Sequence, residues 1–145
     1  MPDDTQRELL ELTERLLTSI VAGDWKTYQS LCDANLTAFE PEARGQLVEG
    51  LAFHRYYFEL SEATSAGDKP ASERPASNKP ANHVTLCSPH VRLLGADAAV
   101  LSYVRLVQYV DAAGATQTSK CEETRVWQRV SGRWQHVHFH RSTNV

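Results

Sequence analysis

Charged side chains stand inside two strand-like runs near the end of the chain. Arg125 lies within the run that starts at Cys121, and the run 136–141 holds three histidines and Arg141 among aromatic and β-branched residues. A strand that buries one face usually keeps charge off that face, because an unpaired buried charge costs several kcal/mol. The two runs therefore predict a polar pocket inside an otherwise apolar sheet.

The three histidines alternate along one predicted strand, at His136, His138 and His140, so their side chains are expected on one face of the sheet. That spacing could present imidazoles to zinc. No carboxylate or cysteine sits at a matching spacing, however, and Trp134 shares the face. The favoured interpretation is a histidine row in the core or at an interface, where protonation near about pH 6 could loosen contacts between copies.

Cys32 could be mistaken for a nucleophile beside His54. It lies near the end of a predicted helix, and not at a helix N-terminus, where a thiolate would be stabilised. We expect it to be a buried hydrophobic side chain. The chain's three cysteines are far apart and form no Cys-x-x-Cys pair, so reduced thiols and a cytoplasmic location are predicted.

Length and charge narrow the class of protein. The 145 residues suit one domain, 1–145, and the net charge of −3 argues against a nucleic-acid partner. The acidic N-terminus does not have the pattern of a signal peptide, and no apolar run reaches the length of a membrane span. We therefore expect a soluble protein with neither a nucleic-acid nor a membrane partner.

The first half of the chain predicts helices. Thr5 and Glu8 fit a capping box at the start of a long amphipathic helix, which Gly23 would end. The other elements predicted here are a second helix capped by Asp24 and ending near 33–35, a short strand at 36–39, and a third helix at about 46–60.

The second half predicts a loop and then a sheet. Segment 61–80 is rich in Pro, Ala and Ser and cannot bury enough apolar surface to offset its ordering entropy, so a flexible loop is expected. Strand patterns follow at His83–Leu93, Ala98–Val110, Thr116–Val130 and Arg133–Arg141, with connections short enough for antiparallel hairpins. Helices followed by a strand meander indicate an α+β fold.

Both faces of the predicted strand 98–110 are largely apolar. Leu101 and Tyr103 lie on one face, and Val100, Val104 and Leu106 lie on the other. An antiparallel sheet on a monomer usually has one face in contact with water. The pattern predicts that helices cover one face and that a second copy of the chain covers part of the other.

Six blocks of the sequence, in the same order, resemble the association (hub) domain of calcium/calmodulin-dependent protein kinase II. They are LTAFEPE (36–42), LVEG (47–50), FHRYYFE (53–59), PHV (89–91), EETRVW (122–127) and VHFHR (137–141). The resemblance implies a cone-shaped nuclear-transport-factor-2-like fold, in which a long N-terminal helix packs in a curved antiparallel sheet. It also implies a non-enzymatic hub that self-assembles into a double ring, as a dodecamer, tetradecamer or larger, and that scaffolds kinase chains carrying the same domain.

The sequence departs from that family at several points. It has no glycine-rich nucleotide loop, His-Arg-Asp motif or Asp-Phe-Gly motif, so no kinase activity is expected. The loop after the third predicted helix is longer than in the animal kinases and lacks their tryptophan, and Cys121 replaces a serine.

The resemblance further implies an anion pocket. Its ligand-binding residues would be Arg105, Arg125, Arg141, His54 and Tyr28, supported by Glu40, Glu123 and Tyr57. The planar guanidinium group of arginine forms paired hydrogen bonds with a carboxylate, so the pocket could hold a small carboxylate or an acidic side chain. In the alternative interpretation, the arginines pair with Glu123, Glu40 or the chain terminus and only hold the sheet together.

Three functional classes follow: an oligomerisation hub, a sensor of small carboxylates, and an isomerase, cyclase or dehydratase of the same fold. The enzyme class needs a pocket base, which arginine does not provide at neutral pH. Glu40, Glu123 and His54 keep that class open. The hub is favoured, with no catalytic residue, cofactor or metal expected.

Overall fold

The computed structural model describes residues 3–66 and 82–142, with the backbone alone for 61–66. Within these residues the elements are α1 (Asp4–Ala22), α2 (Trp25–Leu31), β1 (Cys32–Phe39), a 3-10 turn (Pro41–Ala43), β2 (Val48–Glu49), α3 (Ala52–Ala66), β3 (His83–Leu93), β4 (Ala98–Val110), β5 (Thr116–Val130) and β6 (Arg133–Arg141). The order of elements confirms the predicted α+β class.

The long first helix begins earlier than predicted. Its capping box is formed by Asp3 and Gln6: the Gln6 N–H donates to Asp3 Oδ1 at 2.8 Å, and the Asp3 N–H donates to Gln6 Oε1 at 2.9 Å. The predicted Thr5–Glu8 box is therefore wrong, because an aspartate two residues upstream already satisfies the first turn. Gly23 ends the helix in the left-handed conformation, as predicted.

The third helix lies six residues further along the chain than predicted. Gly50, with a φ of 77°, follows β2 and donates its N–H to the carbonyl oxygen of Leu36 at 2.7 Å, so the chain is still part of the sheet edge there. The helix then continues to Ala66, and the prediction that a loop starts at Ser61 is wrong. The rest of the predicted loop, 67–80, lies outside the described residues.

The sheet has the strand order β2-β1-β6-β5-β4-β3. The four predicted strands from His83 to Arg141 have the bounds given by the sequence pattern. Neighbours among them are antiparallel, but β1 pairs with β6 in parallel, so the sheet is mixed. The expectation of a purely antiparallel sheet is wrong at this pair, because β1 and β6 are distant in sequence and no hairpin fixes their relative direction.

The first helix packs against the inner face of the sheet. Leu9 and Leu16 of α1 and Leu101 of β4 are fully buried in one apolar cluster. The indole N–H of Trp127 donates to the hydroxyl of Thr13 at 3.1 Å, which satisfies the one polar atom that this buried ring brings into the core. The helix and β5 are thereby fixed relative to each other.

A β-bulge in β6 changes which side chains face inward. Trp127 lies opposite His136 and Val126 lies opposite His138, which leaves Val137 as the extra residue. His136 therefore shares the buried face with Trp127, whereas His138 lies on the outer face. The prediction that the three histidines share one face is wrong. Phe139 and Arg141, two residues apart beyond the bulge, both line the inner side.

Candidate functional site

The inner side of the sheet encloses a cavity of about 300 Å³. All eight residues predicted for the pocket line it: Arg105, Arg125, Arg141, His54, Tyr28, Glu40, Glu123 and Tyr57. Four further residues complete the lining: Ile20, Glu42, Phe58 and Phe139. Because these residues come from α1, α2, α3, three strands and the loop after β1, the complete fold is needed to build the cavity. That the cavity binds an anion stays a prediction.

The innermost polar group is a cluster of Arg125, Glu123 and Tyr103. Arg125 is 1% exposed, and its Nη2 donates to Glu123 Oε2 at 2.9 Å. Its Nε donates to the hydroxyl of Tyr103 at 2.7 Å, and that hydroxyl donates to Glu123 Oε1 at 2.9 Å. The sheet register places Tyr103 directly opposite Glu123, so the three groups come from two adjacent strands. The cluster is a closed set of charge-assisted hydrogen bonds.

Burial alone would raise the pKa of Glu123, but Arg125 and Arg105 outweigh it and hold that pKa below its ordinary value. Burial raises the pKa of Tyr103. At neutral pH the cluster therefore contains an ionised glutamate and a neutral tyrosine. The guanidinium of Arg125 also lies 4.5 Å from the centre of the Phe139 ring, a cation–π contact.

The other two arginines lie nearer the cavity mouth. Arg105 Nη1 is 3.5 Å from Glu123 Oε2, and the buried Nε of Arg105 has no hydrogen-bond partner among the described residues. Arg141 Nη2 donates to both carboxylate oxygens of Glu42 and lies 3.9 Å from Glu40 Oε2. Partial burial alone would raise the pKa of Glu42, but the hydrogen bond from Arg141 and the charge of its guanidinium outweigh burial and hold that pKa below its ordinary value.

His54 and Glu40 form a buried pair at one wall. Their side chains are 9% and 8% exposed, and His54 Nε2 is 3.0 Å from Glu40 Oε1. The contact is close, but neither ring nitrogen of His54 makes an aligned hydrogen bond within 3–66 and 82–142. The two ring nitrogens of His54 are therefore buried polar atoms at the cavity wall that lack an aligned hydrogen bond.

The formal charges of the cavity balance. Three guanidiniums face three carboxylates, and His54 adds a charge only when it is protonated. The interpretation that the arginines pair with glutamates is confirmed for Glu123, while Arg141 pairs mainly with Glu42, which the sequence did not single out. Tyr103 was also missed as part of the site, although its alternation with Arg105 along β4 placed both on one face.

The remaining candidates do not line the cavity, although His136 Nε2 lies 3.4 Å from Arg125 Nη1. Burial raises the pKa of the Cys32 thiol to about 12, so this side chain is an inert hydrophobe, as predicted. Burial, with a contribution from Arg125, holds the pKa of His136 well below its ordinary value. No three His, Cys, Asp or Glu side chains of the described ranges are arranged as a metal site. The described helices also include none with the length and apolarity required to cross a bilayer.

Residues 5–145 match the family model for the calcium/calmodulin dependent protein kinase II association domain. The chain belongs to this family. The resemblance identified from the six sequence blocks is thereby confirmed, and the part of the kinase subunits that the chain matches is the association domain, not the catalytic domain.

Known members of the association-domain family are close in sequence and in structure. The chain is 48% identical over 137 residues to the delta subunit of calcium/calmodulin-dependent protein kinase type II of Oryctolagus cuniculus, covering 94% of this chain and 23% of that relative's length. The solved hub homology domain of Chlamydamonas reinhardtii is 45% identical with a TM-score of 0.85, covering 98% of this chain and 100% of that one.

A more distant solved structure supports the fold alone. The nuclear transport factor 2-like superfamily protein of Salmonella enterica has 22% identity and a TM-score of 0.66, covering 96% of this chain and 90% of that one. The nuclear-transport-factor-2-like fold expected from the sequence is confirmed.

Proposed function

We propose that the chain is a non-enzymatic hub that assembles copies of itself into a closed double ring. Its membership in the association-domain family, over residues 5–145, carries this proposal. Apolar side chains on the outer face of the sheet support it: Val100 of β4 lies opposite Val126 of β5, and Val104 and Leu106 lie on the same face, opposite Glu122 and Lys120, while α1 packs on the inner face. Apolar side chains on the sheet face that no helix covers are typical of a surface that another subunit covers. The partners of such a ring would be further copies and cytoplasmic kinase chains with the same domain.

Size-exclusion chromatography with light scattering tests the assembly. Twelve copies of the 16.2 kDa chain would have a mass of about 194 kDa, twelve times that of one chain. A particle with the mass of a single chain at micromolar concentration would contradict the hub function.

As a second function we propose that the cavity binds a small carboxylate. Polar atoms without an aligned hydrogen bond favour it: the buried Nε of Arg105 and the ring nitrogens of His54 have no aligned partner in the described part of the chain, and both residues line the cavity. Ile20, Phe58 and Phe139 would pack against a short apolar tail. A ligand that binds only the folded protein raises the melting temperature. We expect sodium propionate to do so in the wild type, but not in Arg141→Gln.

The enzyme alternative depends on the pair formed by His54 and Glu40. If that pair acted as a base, a small carbonyl acid would exchange its α-protons in deuterated water, and His54→Gln would abolish the exchange. We expect no exchange above the buffer rate in the wild type. Exchange that depends on His54 would contradict a non-enzymatic hub.

A further inference from the structure

The three arginines of the cavity differ in how firmly they are held. Arg125 is locked by Glu123 and Tyr103 in the closed cluster described above, and Arg105 shares the same Glu123. Arg141 is 17% exposed and donates from Nη2 to both oxygens of Glu42. Of the three, Arg141 is therefore the one whose principal partner is not the buried Glu123.

The carboxylates also differ in how easily they can leave their arginines. Glu123 is fully buried, so releasing it would leave a buried guanidinium and a buried carboxylate without their partners. Glu42 is 38% exposed and sits in the 3-10 turn Pro41–Ala43, so its side chain can rotate into water and be hydrated there. Glu42 is the carboxylate that can be displaced at low cost.

The charge balance of the cavity favours such an exchange. An added monocarboxylate would bring the cavity to four carboxylates against three guanidiniums, with Glu40 only 3.9 Å from Arg141. If Glu42 moves into water as the ligand enters, the count of three against three is kept. A carboxylate ligand and the Glu42 side chain offer Arg141 the same two acceptor oxygens.

We propose that Glu42 is a built-in competitor of the cavity's ligand: its carboxylate occupies Arg141, and a short-chain monocarboxylate binds by taking that place. The proposal rests on the carboxylate-binding function proposed above. It assigns Glu42 as a residue that sets the affinity of the site and keeps Arg141 paired when no ligand is bound. It also restricts the ligand class to monoanions, because a dianion would upset the charge balance again.

Isothermal titration calorimetry with sodium propionate, at pH 7.5 and constant ionic strength, tests this competition. Glu42→Gln should bind propionate about five- to tenfold more tightly than the wild type, which is the change expected from removing a half-exposed charge-assisted pair. Glu49→Gln is the matched control, because it removes one exposed negative charge from β2, outside the cavity, and should leave the affinity unchanged. Propionamide lacks the negative charge of propionate, so its affinity should be the same for every variant.

Arg141→Gln completes a double-mutant cycle. If Glu42 acts by occupying Arg141, the variant Glu42→Gln combined with Arg141→Gln should bind propionate no more tightly than Arg141→Gln alone. Circular dichroism and assembly size should match the wild type in every variant used.

The outcomes separate the two proposals. If the wild type binds propionate and Glu42→Gln binds it equally or more weakly, the competition is refuted while carboxylate binding stands. If the gain in Glu42→Gln persists without Arg141, Glu42 does not act through that arginine and the proposal also fails. If no variant binds propionate at tens of millimolar, the carboxylate-binding function and the competition both fail.

Discussion

Substituting Glu123 by glutamine would test the buried cluster most severely. The change removes the ionised group that receives Arg125 Nη2 at 2.9 Å and the Tyr103 hydroxyl at 2.9 Å, and that lies 3.5 Å from Arg105 Nη1. Arg125 is 1% exposed, so water cannot replace the lost partner. Removing one member of a buried ion pair costs about 3–5 kcal/mol. In a chain of this size, about 2–4 °C of melting temperature is lost for each kcal/mol, which predicts a fall of about 6–20 °C.

Differential scanning calorimetry is the assay, run at one fixed protein concentration because the stability of an assembly depends on concentration. Glu14→Gln is the matched control: Glu14 is exposed on α1, which packs on the inner side of the sheet, so its loss should change stability by less than about 0.5 kcal/mol. Tyr103→Phe should lie between the two at about 1–3 kcal/mol, because it leaves Arg125 Nε without an acceptor.

The reasoning would be refuted if Glu123→Gln melted within 2 °C, roughly the change for 0.5–1 kcal/mol, of Glu14→Gln. Such a result would mean that the guanidinium of Arg125 finds other partners or water when the carboxylate is lost. An equal loss in both glutamate variants would instead show an effect of net charge, which is also incompatible with a specific buried pair.

Two further predictions concern pH and the outer face. His136 is buried and its pKa is held well below the ordinary value, so the unfolded chain binds a proton that the native chain does not as pH falls below about 6.5. Stability should therefore decrease from pH 7.5 to pH 5.5, with this one group contributing up to about 1.4 kcal/mol per pH unit. Urea unfolding at the two pH values measures the decrease, and equal or greater stability at pH 5.5 would contradict the buried neutral imidazole. Separately, Val104→Lys, which puts a charge on the outer face of β4, should lower the mass of the assembly in light scattering, while Thr18→Lys on the exposed side of α1 should not. An unchanged mass in Val104→Lys would exclude Val104 from a contact between copies.

The strands of the second half were predictable because their signals are local. The period of two along β4 and β5 and the short turns between them determine both ends of each strand. The bulge at Val137 was not predictable in the same way, because a period-two pattern does not reveal one extra residue. That bulge decides which of the C-terminal histidines lie inside, so the interpretation of the histidine row failed there.

The sequence predicted which residues line the site, but not which of their side chains pair with one another. The resemblance to the hub domain identified eight residues, and the structure brings all eight to one cavity. Glu42 was missed because it lies in a 3-10 turn, whose path depends on contacts that periodicity does not encode. The parallel pairing of β1 with β6 was missed for a related reason: the two strands are distant in the chain, so only tertiary packing determines their direction.

Native mass spectrometry tests the central proposal, self-assembly as a hub, most directly. A closed double ring contains equal numbers of subunits in its two layers, so the mass should be an even multiple of the 16.2 kDa chain, with the copy number of twelve or more that the resemblance to the association domain implies. The same copy number should persist when the protein is diluted tenfold at micromolar concentration. A single chain, an odd copy number, or a broad ladder of sizes that shrinks on dilution would contradict the account.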